Sequence, residues 1–307
     1  MGTQQDEKVA ALRVRVEELK AKLAEVKGQR DTAREQRALL QGHLEEQRNN
    51  IANGPPPLEK RVPTELVPAD DEFLSWCRAF GPPVYFHDGL ATWIRNLDAL
   101  ESPEFVSAYM RGMNSGHKMG RPKGSDLDIH IEWRAHMALW AASHAKGLEG
   151  DFVECGVNTG IMSIAICTYL DFNSLDKDFY LFDTYRGIPE EQMSADEKET
   201  RIPHNKLFYE ECFEAVQRNF ATWPRCHLVR GMIPDTLTEV NIEKVAYLHI
   251  DLNIAAPERA ALEFFWDKVV SGGVILFDDY GSPLFREQYL SANEFAASKG
   301  VMIATLP

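Results

Sequence analysis

Cysteine is scarce in this chain: five in 307 residues, at Cys77, Cys155, Cys167, Cys212 and Cys226. They form no CxxC pair and have no histidines at zinc-like offsets, so neither a disulfide framework nor a cysteine-rich zinc site is indicated, and reduced thiols in a cytosolic protein are the plain expectation. Long apolar runs are also missing. No stretch approaches membrane-spanning length, and the first residues are polar and charged rather than an apolar core behind a basic start. The expected protein is soluble, unsecreted and cytoplasmic. Positive charge is short as well, with 33 Lys and Arg against 47 Asp and Glu and a formal net charge of -14. Residues 1–50 hold 10 Lys/Arg against 9 Asp/Glu, so the acidity falls on the remainder. No basic stripe interrupts it, which argues against nucleic acid and favours a small neutral molecule or a glycan.

What is present begins with a heptad seam. Val9, Leu12, Val16, Leu19, Leu23, Val26, Ala33, Leu40 and Leu44 recur at alternating three and four spacing, and residues 1–50 are read as a coiled coil. Arg13, Lys20, Lys27 and Arg34 fall at e and Arg15 and Lys22 at g, so parallel copies would meet like charge. Residues 9–44 therefore suggest a homo-oligomer, an acidic helical partner or an unpartnered tether, with Gly28 and Gly42 giving the tether equal standing with an interaction helix. Asn53-Gly54-Pro55-Pro56-Pro57 stops the helix and marks a linker over 51–68. Residues 69–148 read as a helical cap with turns at Gly81-Pro82-Pro83 and 112–125.

From 149 onward short apolar or aromatic runs alternate with longer amphipathic segments: FVECGV, FYLFD, CHLVRG, VAYLHID, GGVILFDDY and VMIATL, with helices expected between them. The fold class that follows is α/β, a doubly wound, mostly parallel sheet covered on both faces, carrying the helical cap and the coiled-coil extension. The loop from Gly187 to Lys206 is long and charged, and is expected to be either a substrate lid or a surface excursion. The core over 149–307 is expected to lack a last antiparallel strand, as a truncated domain would.

Chemistry concentrates where these strands end. Glu154-Cys155-Gly156-Val157-Asn158-Thr159-Gly160 places two glycines where a buried strand turns into a helix, which lets backbone pass close beneath a ligand. It lacks the third glycine of a dinucleotide fingerprint, so NAD and FAD are poor candidates. Asp183 ends the second strand, where a carboxylate can accept from both hydroxyls of a ribose, and Gly231 ends the third, where an adenine can rest. Asp251 and Asn253 follow the fourth strand and Asp278 and Asp279 the fifth, an oxygen-rich set that suits magnesium. His249 shares a strand face with Asp251, as a base beside the site or as a satisfied core histidine.

The segments GDFVECGVNTG, LFDTYRGIPE, LVRGMIPDTL, LHIDLN and GGVILFDDYG together resemble the TylF-type macrocin O-methyltransferase family, and the likeness extends upstream through Trp133-Arg134-Ala135-His136. The resemblance implies a Rossmann-like class I methyltransferase that uses S-adenosyl-L-methionine and Mg2+ or another divalent cation to methylate a sugar hydroxyl. It implies that Glu154, Gly156, Asn158, Thr159, Gly160, Asp183 and Gly231 bind the cofactor and that Asp251, Asp278 and Asp279 hold the metal. Many relatives carry D-x-D-x-Y where this chain has Asp251-Leu252-Asn253-Ile254-Ala255, so contacts to the acceptor differ. The mechanism expected is attack on the sulfonium methyl by a metal-coordinated hydroxyl whose proton goes to Asp251 or His249. A catechol or polyketide hydroxyl satisfies the same chemistry, and a non-catalytic scaffold with a vestigial nucleoside site is the alternative from another class.

Overall fold

Parallel pairing orders the described part of the chain around one sheet. The computed structural model describes residues 79–81, 83–119 and 128–305, and these all fall in one compact unit, Ser75–Pro307. The heptads at 9–44 and the linker at 51–68 lie outside the described residues.

The first element is a small antiparallel hairpin, β1 (Tyr85–His87) and β2 (Leu90–Thr92), turning through Asp88-Gly89. A helical cap is therefore only part of what 69–148 contains. The Asp-Gly pair is a two-residue hairpin turn, because both residues take positive φ and the strands then follow their natural twist. Helices α1 (Pro103–Met113) and α2 (Glu132–Ala145) follow. α1 opens on Ser102, whose hydroxyl accepts the Phe105 amide, with Pro103 at the first helical position. α2 buries Ala135, Ala138, Leu139, Ala141, Ala142 and Ala145, small residues that let it pack closely against the sheet and the neighbouring helices.

The sheet comprises β3 (Asp151–Cys155), β4 (Phe179–Asp183), β5 (Cys226–Arg230), β6 (Val245–Ile250) and β7 (Val269–Phe277) in the order β5-β4-β3-β6-β7, all parallel. The connecting helices are α3 (Ile161–Tyr169), α4 (Ala195–Phe208), α5 (Phe213–Phe220), α6 (Ala255–Phe265) and α7 (Arg286–Lys299). Strand alternation divides the core in two. Phe152, Phe179, Leu181 and Tyr247 face α1, α2 and α3, whereas Val153, Cys155, Leu248 and Ile250 face α6 and α7. Both faces are buried, which is why these strands read as continuous apolar runs.

Two sequence expectations are corrected here. The stretch 187–206 is largely helix α4, started by a capping box in which the Ser194 hydroxyl accepts from the Glu197 amide and Glu197 Oε2 accepts from the Ser194 amide. Pro203 removes one helical hydrogen bond without ending the helix. Residues 301–305 form no strand: after Gly300 closes α7 in the left-handed conformation, the chain runs beside an apolar groove lined by Trp133, Trp140 and Phe277 without ladder hydrogen bonds.

Phe152 is fully buried and meets Phe172, Phe179 and Tyr247 with ring centroids 5.7, 5.7 and 5.2 Å away. Truncating it as Phe152→Ala is expected to cost about 3–5 kcal/mol in urea unfolding of the full chain, because the rings around it cannot all collapse into the void.

Candidate active site

The strand order reverses between β3 and β6, so their following loops part and leave a crevice at the carboxyl edge. On the β3 side the loop 156–160 climbs into α3 with positive φ at Gly156, Asn158 and Gly160. A Cβ on Gly156 would fall on the carbonyl oxygen of Asp251, and one on Gly160 would come within 2.6 Å of the Phe220 ring. Glycine at 156 is thus required by the neighbouring strand end as well as by any ligand above it.

Asp183 holds this loop in place. Its Oδ2 accepts from the Val157 and Asn158 amides at 2.6 and 2.7 Å, and its Oδ1 accepts from the Tyr185 amide at 2.6 Å. One carboxylate at the end of β4 therefore shapes the turn at the end of β3. Glu154, paired in register with His249, is buried; its Oε1 lies 3.1 Å from His249 Nδ1, and its Oε2 is buried without a partner.

On the other side of the crevice Asp251, Asp278 and Asp279 bring one carboxylate oxygen each to within 4.8 Å of one another. Burial, reinforced by Asp278 and Asp279, pushes the Asp251 carboxyl well up. Burial and the charge of Asp278 raise Asp279 to about 7. Burial would raise Asp278 too, but the Arg134 guanidinium and His249 hold it below the usual carboxylate range. Arg134 Nη1 donates to Asp278 Oδ2 at 2.5 Å and lies 3.9 Å from Asp279, while its Nε and Nη2 each donate to Asp88 at 2.6 Å. Asn253, at φ 62°, donates from Nδ2 to Asp251 Oδ1 at 3.0 Å.

The two halves share one cleft, lined by Gly156, Asn158, Asp183 and Gly231 on one side and Asp251 and Asp278 on the other. Glu154 lines it too, from below. Thr159 and Gly160, expected with the cofactor residues, stand behind the loop instead. The Thr159 hydroxyl is buried 2.7 Å from that of Ser115, and Asn219 donates to its carbonyl, because the loop must be tied to the end of α1. Of the two readings of His249, its placement matches the buried core histidine. Its Nδ1 lies 3.1 Å from Glu154 Oε1 and its Nε2 3.9 Å from Asp278 Oδ1; burial would lower its pKa, but these carboxylates raise it to about 10. It does not line the cleft.

Residues the sequence did not single out are Asp88, Arg134 as a site residue, and Tyr209. Tyr209 lines the cleft beyond α4, its phenol pushed well up by burial and by Asp251. Arg134 did leave a signal, as the one Lys or Arg of a helix rich in alanine and buried at Ala135, Ala138, Leu139, Ala141, Ala142 and Ala145; Asp88 left none, since its partner is 46 residues away.

The donor chemistry fits a divalent cation. Three hard carboxylates converge, and Asp279 Oδ2 is buried without a hydrogen bond. The sequence profile of the family described as Macrocin-O-methyltransferase (TylF) matches residues 136–302, more than half of the chain. The chain belongs to the macrocin O-methyltransferase family. Within it, the chain is 25% identical over 150 residues to the 8-demethyl-8-(2,3-dimethoxy-alpha-L-rhamnosyl)-tetracenomycin-C 4'-O-methyltransferase of Streptomyces olivaceus, covering 47% of this chain and 58% of the relative. It is 27% identical over 142 residues to the demethyldecarbamoylnovobiocin O-methyltransferase of Streptomyces niveus, covering 44% and 54%. The chain thus spans a little over half the length of these relatives. The solved structure of the O-methyltransferase NovP shares the fold, with a TM-score of 0.53 at 20% identity over 68% of this chain and 92% of that one. Asp88 and Arg134 both precede the segment that the family profile matches.

Removing the carboxylate that shapes the glycine loop has a stability consequence. Asp183→Ala is expected to lower unfolding free energy by about 2–4 kcal/mol, because three amides lose a charged acceptor. Chemical denaturation checks this, and an unchanged midpoint would show that water replaces the carboxylate at no cost.

Proposed function

We propose that this chain is an S-adenosylmethionine-dependent O-methyltransferase that transfers methyl to a hydroxyl of a sugar or glycoside, assisted by a divalent cation. The observation that carries the reading is one cleft in which a glycine turn tied down by Asp183 faces three converging carboxylates. Family membership supports the reaction type, and the two relatives are by name O-methyltransferases of a rhamnosyl-bearing tetracenomycin and of demethyldecarbamoylnovobiocin. Intact convergence of all three acids favours an enzyme over a vestigial scaffold.

When bound, S-adenosylmethionine supplies an electrophilic methyl on a sulfonium, and the cation supplies positive charge beside the acceptor hydroxyl. The chain does the rest. Gly156 and Asn158 shape the floor of the nucleoside pocket; Asp183, which lines it, is the acceptor for a ribose hydroxyl; Gly231 leaves room for the base. Glu154 Oε2, buried and unpartnered, is an acceptor for a cationic or hydroxyl group of the cofactor. Asp251, Asp278 and Asp279 would hold the cation, at the edge of the cleft where the acceptor hydroxyl must come. Of the pair the sequence offers, Asp251 lines the cleft and His249 does not, so Asp251 is the proton acceptor. Asn253 fixes one Asp251 oxygen through its amide and leaves the other for this task. No described helix is long and apolar enough to cross a membrane.

The test pairs binding with turnover. S-adenosylmethionine is titrated calorimetrically into the full chain, and methyl transfer is followed to a vicinal-diol glycoside and to a catechol, with Mg2+ or with EDTA. Asp251→Ala is expected to keep cofactor affinity while losing turnover by at least about a hundredfold, and EDTA to silence the intact enzyme. Transfer to catechol alone would move the acceptor to the aromatic class. Failure of the intact chain to bind S-adenosylmethionine would sink the enzymatic reading.

A further inference from the structure

The three carboxylates are not left bare. Arg134 stands over them from the first turn of α2, 2.5 Å from Asp278 and 3.9 Å from Asp279, while its other two nitrogens are forked onto Asp88 at the tip of the β1–β2 hairpin. On its far side Asp278 lies 3.9 Å from His249 Nε2, whose Nδ1 meets Glu154. Polar side chains therefore follow one another in one line, Asp88, Arg134, Asp278, His249 and Glu154, from the hairpin to the base of the glycine loop. The carboxylate that Arg134 neutralises is one of the three that converge, and the arginine already has a second anchor that does not.

We propose that Arg134 is a built-in counter-cation of the metal site: it neutralises Asp278 while the site is empty and gives up that oxygen to the incoming divalent cation, retained meanwhile by Asp88. The inference rests on the divalent-cation part of the proposed function. Its physical basis is competition for one anion. A half-buried trio of like charges is costly without a cation among them, and the guanidinium offsets that cost while the site is empty. The same guanidinium opposes a divalent ion arriving a few ångströms away, since both draw on the same carboxylate. Asp88 lowers the cost of the exchange because the planar fork stays satisfied on one side. Arg134 is thus a positioning residue that sets metal affinity, and the hairpin that presents Asp88 belongs to the site although it lies far upstream in sequence.

The readout is metal affinity rather than turnover. Mn2+ is titrated into the full chain and free Mn2+ is followed by electron paramagnetic resonance, with Asp251→Asn reporting whether the binding belongs to this cluster. Arg134→Met is expected to bind Mn2+ about tenfold more tightly than the parent, a modest share of the repulsion between close charges. Its melting temperature should be lower without metal and should rise further with it. Asp88→Asn is expected to bind more weakly than the parent, because the arginine then rests on Asp278 alone. Arg134→Lys, which keeps the charge and loses the fork, should fall between the parent and Arg134→Met; it and Asp88→Asn carry the test if Arg134→Met does not fold. Binding in Arg134→Met and Arg134→Lys that is unchanged or weaker, yet abolished by Asp251→Asn, would overturn the role of Arg134 and leave the metal site standing. Absence of any Mn2+ binding that Asp251→Asn removes would overturn both.

Discussion

The close approach of β3 and β6 at their carboxyl ends is the constraint on which the site depends. Gly156 presses its backbone against the carbonyl of Asp251 so tightly that no side chain fits between them. The two strands are hydrogen-bonded neighbours, yet the loops that follow depart to opposite faces, which opens the crevice between the glycine turn and the acids. The distance between the two halves of the cleft is consequently set by strand spacing, the least variable length in the fold, and not by flexible connections.

A second consequence is electrostatic. Placing Asp251, Asp278 and Asp279 at adjacent strand ends concentrates negative charge where burial already disfavours it, and the raised carboxyls of Asp251 and Asp279 record that cost. The burden spreads into the supporting layer. Glu258, buried at α6, is pushed up to about 8 by burial and by Asp279, and is held by the Gln288 side chain at 2.6 Å and the Leu252 amide at 3.2 Å. Glu197 of α4 uses one oxygen to cap its own helix and the other to accept the Ala255 amide at the start of α6. The covering helix and the acid-bearing loop after β6 are therefore joined by a single carboxylate. Such networks add little net stability when complete, but removing one member leaves a buried charge unanswered, which makes the arrangement specific.

Legibility in the sequence followed the range of the interaction. The five parallel strands, the strand-end placement of Glu154, Gly156, Asp183, Gly231, Asp251, Asp278 and Asp279, and the family itself were readable, because each depends on a local pattern: an apolar run, then a turn residue or an acid. Helix α4 was readable in principle from Ser194-x-x-Glu197, but the high charge and Pro203 of that stretch outweighed the capping signature. The hairpin was announced only by Asp88-Gly89 between two short runs.

Tertiary structure alone decided what each strand-end residue touches. Thr159 looked like part of the cofactor loop and is tied to Ser115; His249 could be read as a base or as a core histidine and is buried between Glu154 and Asp278; Asp183 shapes the loop through its amides. Arg134 and Asp88 met Asp278 from outside the strand pattern altogether. The sequence by itself determined the sheet and the residues at its edge, since apolar periodicity and turn chemistry act over a few positions. Protonation, pairing and access were decided by the fold, because charge acts through space and its partners here are separated by up to 144 residues of chain.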